Sequence, residues 1–175
     1  MSLMCTFTGK MIDLESPRVK DICVRDIAHA LSQICRYTGH TSRFYSVAEH
    51  CVLLSEAEGT PGTPLARLLH DASEAYLGDV IRPLKQLLPH YRMLEERIHW
   101  VIAEKYQVDF DPVKLGDTAM LMIEANALMP PEFFQGLTVA DLSYLDQGSI
   151  KIEGWSPEVA EKNFLDRAFS LGVRD

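Results

Sequence analysis

Apolar residues recur at helical spacing in one segment after another along this chain. Behind Asp26, a candidate cap, Ile27, Ala30, Leu31, Ile34 and Cys35 keep that spacing until Gly39 stops it. Ser46-Val47-Ala48-Glu49 has the form of a capping box, and the following Val47, His50, Cys51, Leu54 spacing turns His50 towards a core. Thr63 and Pro64 open a third helix that runs to Leu77, with Leu65, Leu68, Leu69, Ala72 and Ala75 inward and Gly78 as its stop. Tyr91 to Tyr106 reads as a longer helix with Leu94, Ile98, Val101 and Ile102 inward. Asp111-Pro112 starts another that reaches Met129, ahead of Pro130-Pro131. Ser156-Pro157 begins the last, through Val159, Leu165, Ala168 and Phe169 to Gly172.

The pattern weakens in two places. From Glu132 to Glu153 it is broken by Gly136 and Gly148, and a loop-rich connection is expected. At the start, Phe7 to Leu14 partly alternates and Asp21 to Val24 is a short apolar piece, with Glu15-Ser16-Pro17 as a turn between them. A small β-hairpin and an irregular arm both suit that stretch. The fold class expected is all-α, a compact helical bundle with that hairpin as its one open addition.

Composition narrows the picture. At 175 residues and 47% hydrophobic, the chain can bury a substantial core as one domain, spanning 4–175, with Met1-Ser2-Leu3 ahead of Met4 read as an expression scar. A net charge of -8 argues against a coat for nucleic acid or an anionic membrane, either of which calls for a basic field. Cys5, Cys23, Cys35 and Cys51 show no CxxC spacing, which favours reduced thiols. No leader and no run long enough to span a bilayer is evident, so a cytoplasmic protein is expected.

The chemistry concentrates in His70-Asp71-Ala72-Ser73-Glu74, set into an apolar run. On an α-helix His70 and Glu74 share a face, with Asp71 one step round from His70. An imidazole beside a carboxylate suits a divalent transition metal better than calcium. Two adjacent ligands cannot close a coordination sphere, and the inward His50 and Asp117, the latter one turn ahead of Met120 and Leu121, can complete it. The plain alternative is a set of buried salt bridges. Such a metal would acidify a water and neutralise a phosphate, and Glu74 is placed to handle that water's proton. Asp79, Arg82 and Lys85 follow directly and could reach the same pocket, although a solvated turn fits their spacing too. Tyr37, Phe44, Tyr45 and Tyr76 could flank a base or merely pack. His29 reads as a partly buried structural histidine, and His90 and His99, with no acidic cluster beside them, as surface or packing residues.

His50, then His70-Asp71, then Asp117 resembles the H…HD…D pattern of the HD-domain phosphohydrolases across nearly the whole chain. Val47-Ala48-Glu49-His50, His70-Asp71-Ala72-Ser73-Glu74, Gly78-Asp79 and Lys85 two residues after a Pro are similar to the 5′-deoxynucleotidase YfbR group. That resemblance implies an all-helical homodimer with one divalent ion per subunit (Mn, Co, Zn, Fe, Ni or Mg). It implies hydrolysis of deoxynucleoside monophosphates by attack of metal-bound water. The implied roles are His50, His70, Asp71 and Asp117 as ligands, Glu74 with Asp71 in catalysis, Asp79 near the sugar 3′-hydroxyl and Lys85 on phosphate. The group has Arg-Trp before its first His. Arg36-Tyr37 occupies the comparable region here, and Arg43 competes as the phosphate contact. Cys35-Arg36-Tyr37-Thr38-Gly39 and Phe44 to His50 also resemble phage HD hydrolases, some of which cleave dNTPs such as dATP. The readings left open are therefore a 5′-nucleotidase, a dNTP triphosphohydrolase, a ppGpp or cyclic-nucleotide hydrolase on the same core, and a non-catalytic HD-fold nucleotide-binding module.

Overall fold

The helix that starts after Ser46 is apolar nearly all round, and in space it becomes the centre of the molecule. The computed structural model describes residues 2–135 and 150–174. Helices α1 (Val24–Gln33), α3 (Pro64–Leu69), α7 (Val113–Leu128) and α8 (Pro157–Ser170) all pack on α2 (Val47–Glu56). A helix enclosed on every side cannot have a polar stripe, which is why Val47, Ala48, Cys51, Val52 and Leu54 are all buried. Ser46 begins it as expected, accepting the Glu49 N–H at 3.1 Å. Only half of the capping box forms, because the Glu49 carboxylate instead accepts N–H groups of residues 153, 154 and 155. Short helices α4 (Glu74–Leu77) and α5 (Arg82–Lys85) lead into the longest, α6 (Pro89–Tyr106).

The bundle and its hairpin are both present, with altered bounds. Strands β1 (Leu3–Cys5) and β2 (Met11–Asp13) pair antiparallel, Met4 opposite Ile12, so Leu3 belongs to the pairing that the sequence reading leaves it out of. Residues 21–24 are not a strand: a 3-10 turn at Val19–Asp21 runs into α1. Asp26 lies inside α1 and not at its cap, since Thr8 of the hairpin claims both carboxylate oxygens, at 2.7 and 2.9 Å. Nor does α1 continue to Gly39. Cys35 bridges Ser46, and this short antiparallel contact carries Arg36 back beneath the start of α2. In α8 the buried residues are Ala160, Phe164 and Ala168, while Val159 and Phe169 face outward, because the stripe that meets α1 and α2 lies one step round from the expected one. Most of the connection expected between 132 and 153 lies outside the described residues. All four cysteines are unpaired. Among the described residues no helix is long and apolar enough to cross a membrane.

Candidate metal centre

Four side chains converge where α2, the end of α3 and α7 meet. His50 Nε2 lies 3.2 Å from His70 Nε2, 3.5 Å from Asp71 Oδ2 and 3.3 Å from Asp117 Oδ1. His70 Nε2 lies 3.2 Å from the same Asp71 oxygen and 3.6 Å from the same Asp117 oxygen. The ligand atoms of His50, His70 and Asp71 all lie within 4.8 Å of one another, so these three could hold a metal ion, and Asp117 stands beside both imidazoles. The other ring nitrogens are occupied. His50 Nδ1 pairs with Glu124 Oε1 at 2.5 Å and His70 Nδ1 donates to the Arg67 carbonyl at 2.9 Å, leaving both Nε2 atoms for the centre.

The electrostatics agree. Burial opposes charge on all four groups, yet His70 and His50 hold Asp71 below the usual carboxylate range and Asp117 well below it. Burial and the Arg36 charge work against a proton on His50, but Glu124 and Asp117 raise it. Against the same burial, Asp71 and Asp117 hold His70 well above the imidazole norm. The cluster calls for positive charge at its middle, supplied by protons or by a cation.

The helix carrying His70 and Asp71 does not run straight through. Between α3 and α4 the N–H groups of Ala72, Glu74, Ala75 and Tyr76 bond three residues back, so this stretch tightens to 3-10 pitch. Residues three apart then eclipse, and it is Asp71 and Glu74 that share a face, not His70 and Glu74 as an α-helix would have it. Both line a cavity of about 450 Å³ with Asp79, Lys85, Arg36 and Asp117. Burial, then the charges of Asp71 and Asp79, raise Glu74 well above the usual carboxyl range, and its Oε2 is buried without a partner. Apolar walls are given by Tyr37, Leu121 and Phe133 on one part and Val80, Ile81 and Pro83 on another.

Arg36 is nine-tenths buried and spans two carboxylates, Asp71 at 3.3 Å and Glu124 at 3.2 Å, while its Nε has no partner. Arg43 is elsewhere: its guanidinium donates to the Ile152 carbonyl at 2.7 Å, and it does not line the cavity. Of the four aromatics that could flank a base, Tyr37 alone lines it. Tyr37 and Thr38 take left-handed φ angles of 55° and 54°, a conformation that costs about 1–2 kcal/mol per residue. That backbone turn carries the Tyr37 hydroxyl to Glu124 Oε2 at 3.2 Å and the Leu121 carbonyl at 3.1 Å.

No family model matches the chain. It is 46% identical over 131 residues to the uncharacterized protein YfdR of Escherichia coli K12, covering 73% of each chain. The chain belongs to the YfdR family. An uncharacterized protein of Rhodobacter capsulatus is 42% identical over 137 residues, 69% of this chain and 70% of its own.

In this member of the YfdR family, the residue that sequence reasoning passed over is Glu124. It is fully buried on α7 and gathers His50, Tyr45 at 2.7 Å, Tyr37 and Arg36 around one carboxylate. Arg36 and His50 hold it ionised against the cost of burial. Its distance of seven residues from Asp117, two helical turns, is the signal that could have found it.

Proposed function

We propose that this chain is a metal-dependent phosphohydrolase of the HD type that removes phosphate from a deoxynucleoside monophosphate. The observation that carries this reading is a pair of buried unpartnered atoms of opposite character, Arg36 Nε and Glu74 Oε2. Both belong to side chains that line the cavity beside the four converging donors. A buried donor and a buried acceptor left open cost stability, and a ligand offering both an anionic oxygen and a proton would satisfy them.

His50, His70, Asp71 and Asp117 would hold the metal, which would supply Lewis acidity to a phosphoryl oxygen and to a water. Glu74 would accept the proton of the water attacking phosphorus and return it to the departing ester oxygen, which becomes the nucleoside hydroxyl. Lys85 and the open Nε of Arg36 would meet the phosphate, Asp79 a sugar hydroxyl, and the Tyr37, Leu121 and Phe133 wall a base. The lining holds the carboxylates Asp71, Glu74, Asp79 and Asp117 against the cations Arg36, Arg82 and Lys85. A triphosphate would call for a more basic cavity, and Arg43, one of the cations it would recruit, is bound to Ile152 instead. The balance supports the monophosphate.

The test is incubation of metal-reconstituted protein with dAMP and with dATP, the products resolved by ion-exchange chromatography. Phosphate from dAMP is expected. Nucleoside plus triphosphate from dATP would establish the triphosphohydrolase instead, and no product from either would turn the reading to other phosphoesters or to a non-catalytic binding module. Asp71→Ala should abolish both metal loading and turnover, and turnover that survives it sinks the mechanism. Glu74→Ala should keep the metal while lowering kcat by roughly 10²–10⁴-fold.

A further inference from the structure

The cavity wall that carries Asp79, Arg82 and Lys85 has little of its own to hold it. Helix α5 is a single turn with no buried residue, and Ile81 and Leu84 are exposed. A one-turn helix without a core is marginal in water, because nucleation is not repaid by packing. The segment enters through Gly78 at φ 80°, a conformation that fixes its direction but anchors nothing.

Its anchors come from α6. The Tyr91 hydroxyl donates to the Gly78 carbonyl at 2.8 Å, at one end of the segment. One helical turn later Glu95 accepts from Lys85 Nζ at 2.5 Å, at the other end, and that ammonium also lies 5.8 Å from the centre of the Tyr91 ring. Lys85 and Glu95 are each about three-quarters buried, with side-chain exposures of 25% and 20%, so the pair is less screened than a surface one. Glu95 also decides where Lys85 stands. Glu74 Oε1 is 3.8 Å from the same Nζ, so the ammonium stands closer to Glu95 than to the cavity carboxylate.

We infer that Tyr91 and Glu95 are positioning residues, a two-point clamp that holds the 78–85 segment and its Lys85 against the cavity. This rests on the phosphohydrolase reading for its effect on turnover, but the clamp itself can be observed without any substrate. The amides of Leu84, Lys85 and Gln86 bond within the segment, to Ile81 and Arg82 carbonyls, so their hydrogen exchange reports whether it is held. Tyr91→Phe keeps the ring and removes the hydroxyl, and Glu95→Gln keeps the shape and removes the charge.

Exchange at residues 84–86 should quicken about tenfold in each variant while the amides of α2 keep their wild-type rates. Unchanged exchange at 84–86 in both variants overturns the clamp. With dAMP, Glu95→Gln should raise KM about tenfold at a kcat within about twofold of wild type, and Glu95→Asp should recover part of it. A fall in kcat at unchanged KM overturns the role of the clamp in presenting Lys85. Should wild-type protein turn over neither dAMP nor dATP, the deoxynucleotide reading falls, and the exchange measurement still decides the clamp.

Discussion

Glu49 and Glu124 are both fully buried, one on α2 and one on α7, yet they are satisfied by opposite kinds of partner. Glu49 accepts three main-chain N–H groups, from residues 153, 154 and 155, at 2.7–2.9 Å. Main-chain donors bring a stretch of chain to a place, and Glu49 ties the approach to α8 onto the start of the central helix. Glu124 is surrounded by side chains, His50, Tyr45, Tyr37 and Arg36. Two of these reach onward, His50 to His70, Asp71 and Asp117, and Arg36 to Asp71. Burial of a charge alone therefore says little about function. What the partners do next separates a fastening from a part of the site.

The hardest test of that contrast is Glu124→Ala. It leaves Arg36 with Asp71 alone and frees His50 Nδ1, with an expected loss of about 3–5 kcal/mol in urea unfolding. Metal affinity by isothermal titration should fall roughly 10–100-fold. Glu49→Ala should cost about 2–3 kcal/mol by the same unfolding measurement, from three main-chain donors losing their acceptor. Its metal affinity should stay within about twofold, because no partner of Glu49 reaches the centre. If the two variants lose metal equally, the contrast is wrong. Tyr45→Phe removes one of the partners of Glu124 and should cost about 1 kcal/mol, read from the unfolding midpoint at unchanged slope. Arg43→Ala should lie within about 0.5 kcal/mol of wild type. Its KM for dAMP should not move, and a large rise would restore Arg43 as the phosphate contact.

Where an element begins or ends by local chemistry, it was legible. Ser46, Thr63 with Pro64, Gly78 and Ser156 with Pro157 all stand at the ends foreseen, since a cap or a positive φ needs only the residues beside it. The meeting of His50, His70, Asp71 and Asp117 from three elements was legible as well, because inward His and Asp among Leu and Ala are costly unless they meet. Asp26 misled for the complementary reason. It has the chemistry of a cap, but the partner that claims it, Thr8, is eighteen residues away. Arg36 and Arg43 could not be told apart, as both sit in one donor-rich loop and only the pairing of Cys35 with Ser46 sends Arg36 inward. Glu124 was hidden among Met, Ile and Ala, where a lone carboxylate looks like any solvated position of a helix.

The 3-10 turn at residues 70–73 has a rotational consequence. Three residues sweep about 300° around an α-helix axis and about 360° around a 3-10 axis. Relaxing that one turn to α pitch would swing Glu74 about 60° away from Asp71 while changing no residue. Alignment of Glu74 with Asp71 is thus a property of pitch, and substitutions at Ala72 or Ser73, which alter neither carboxylate, are able to detune it.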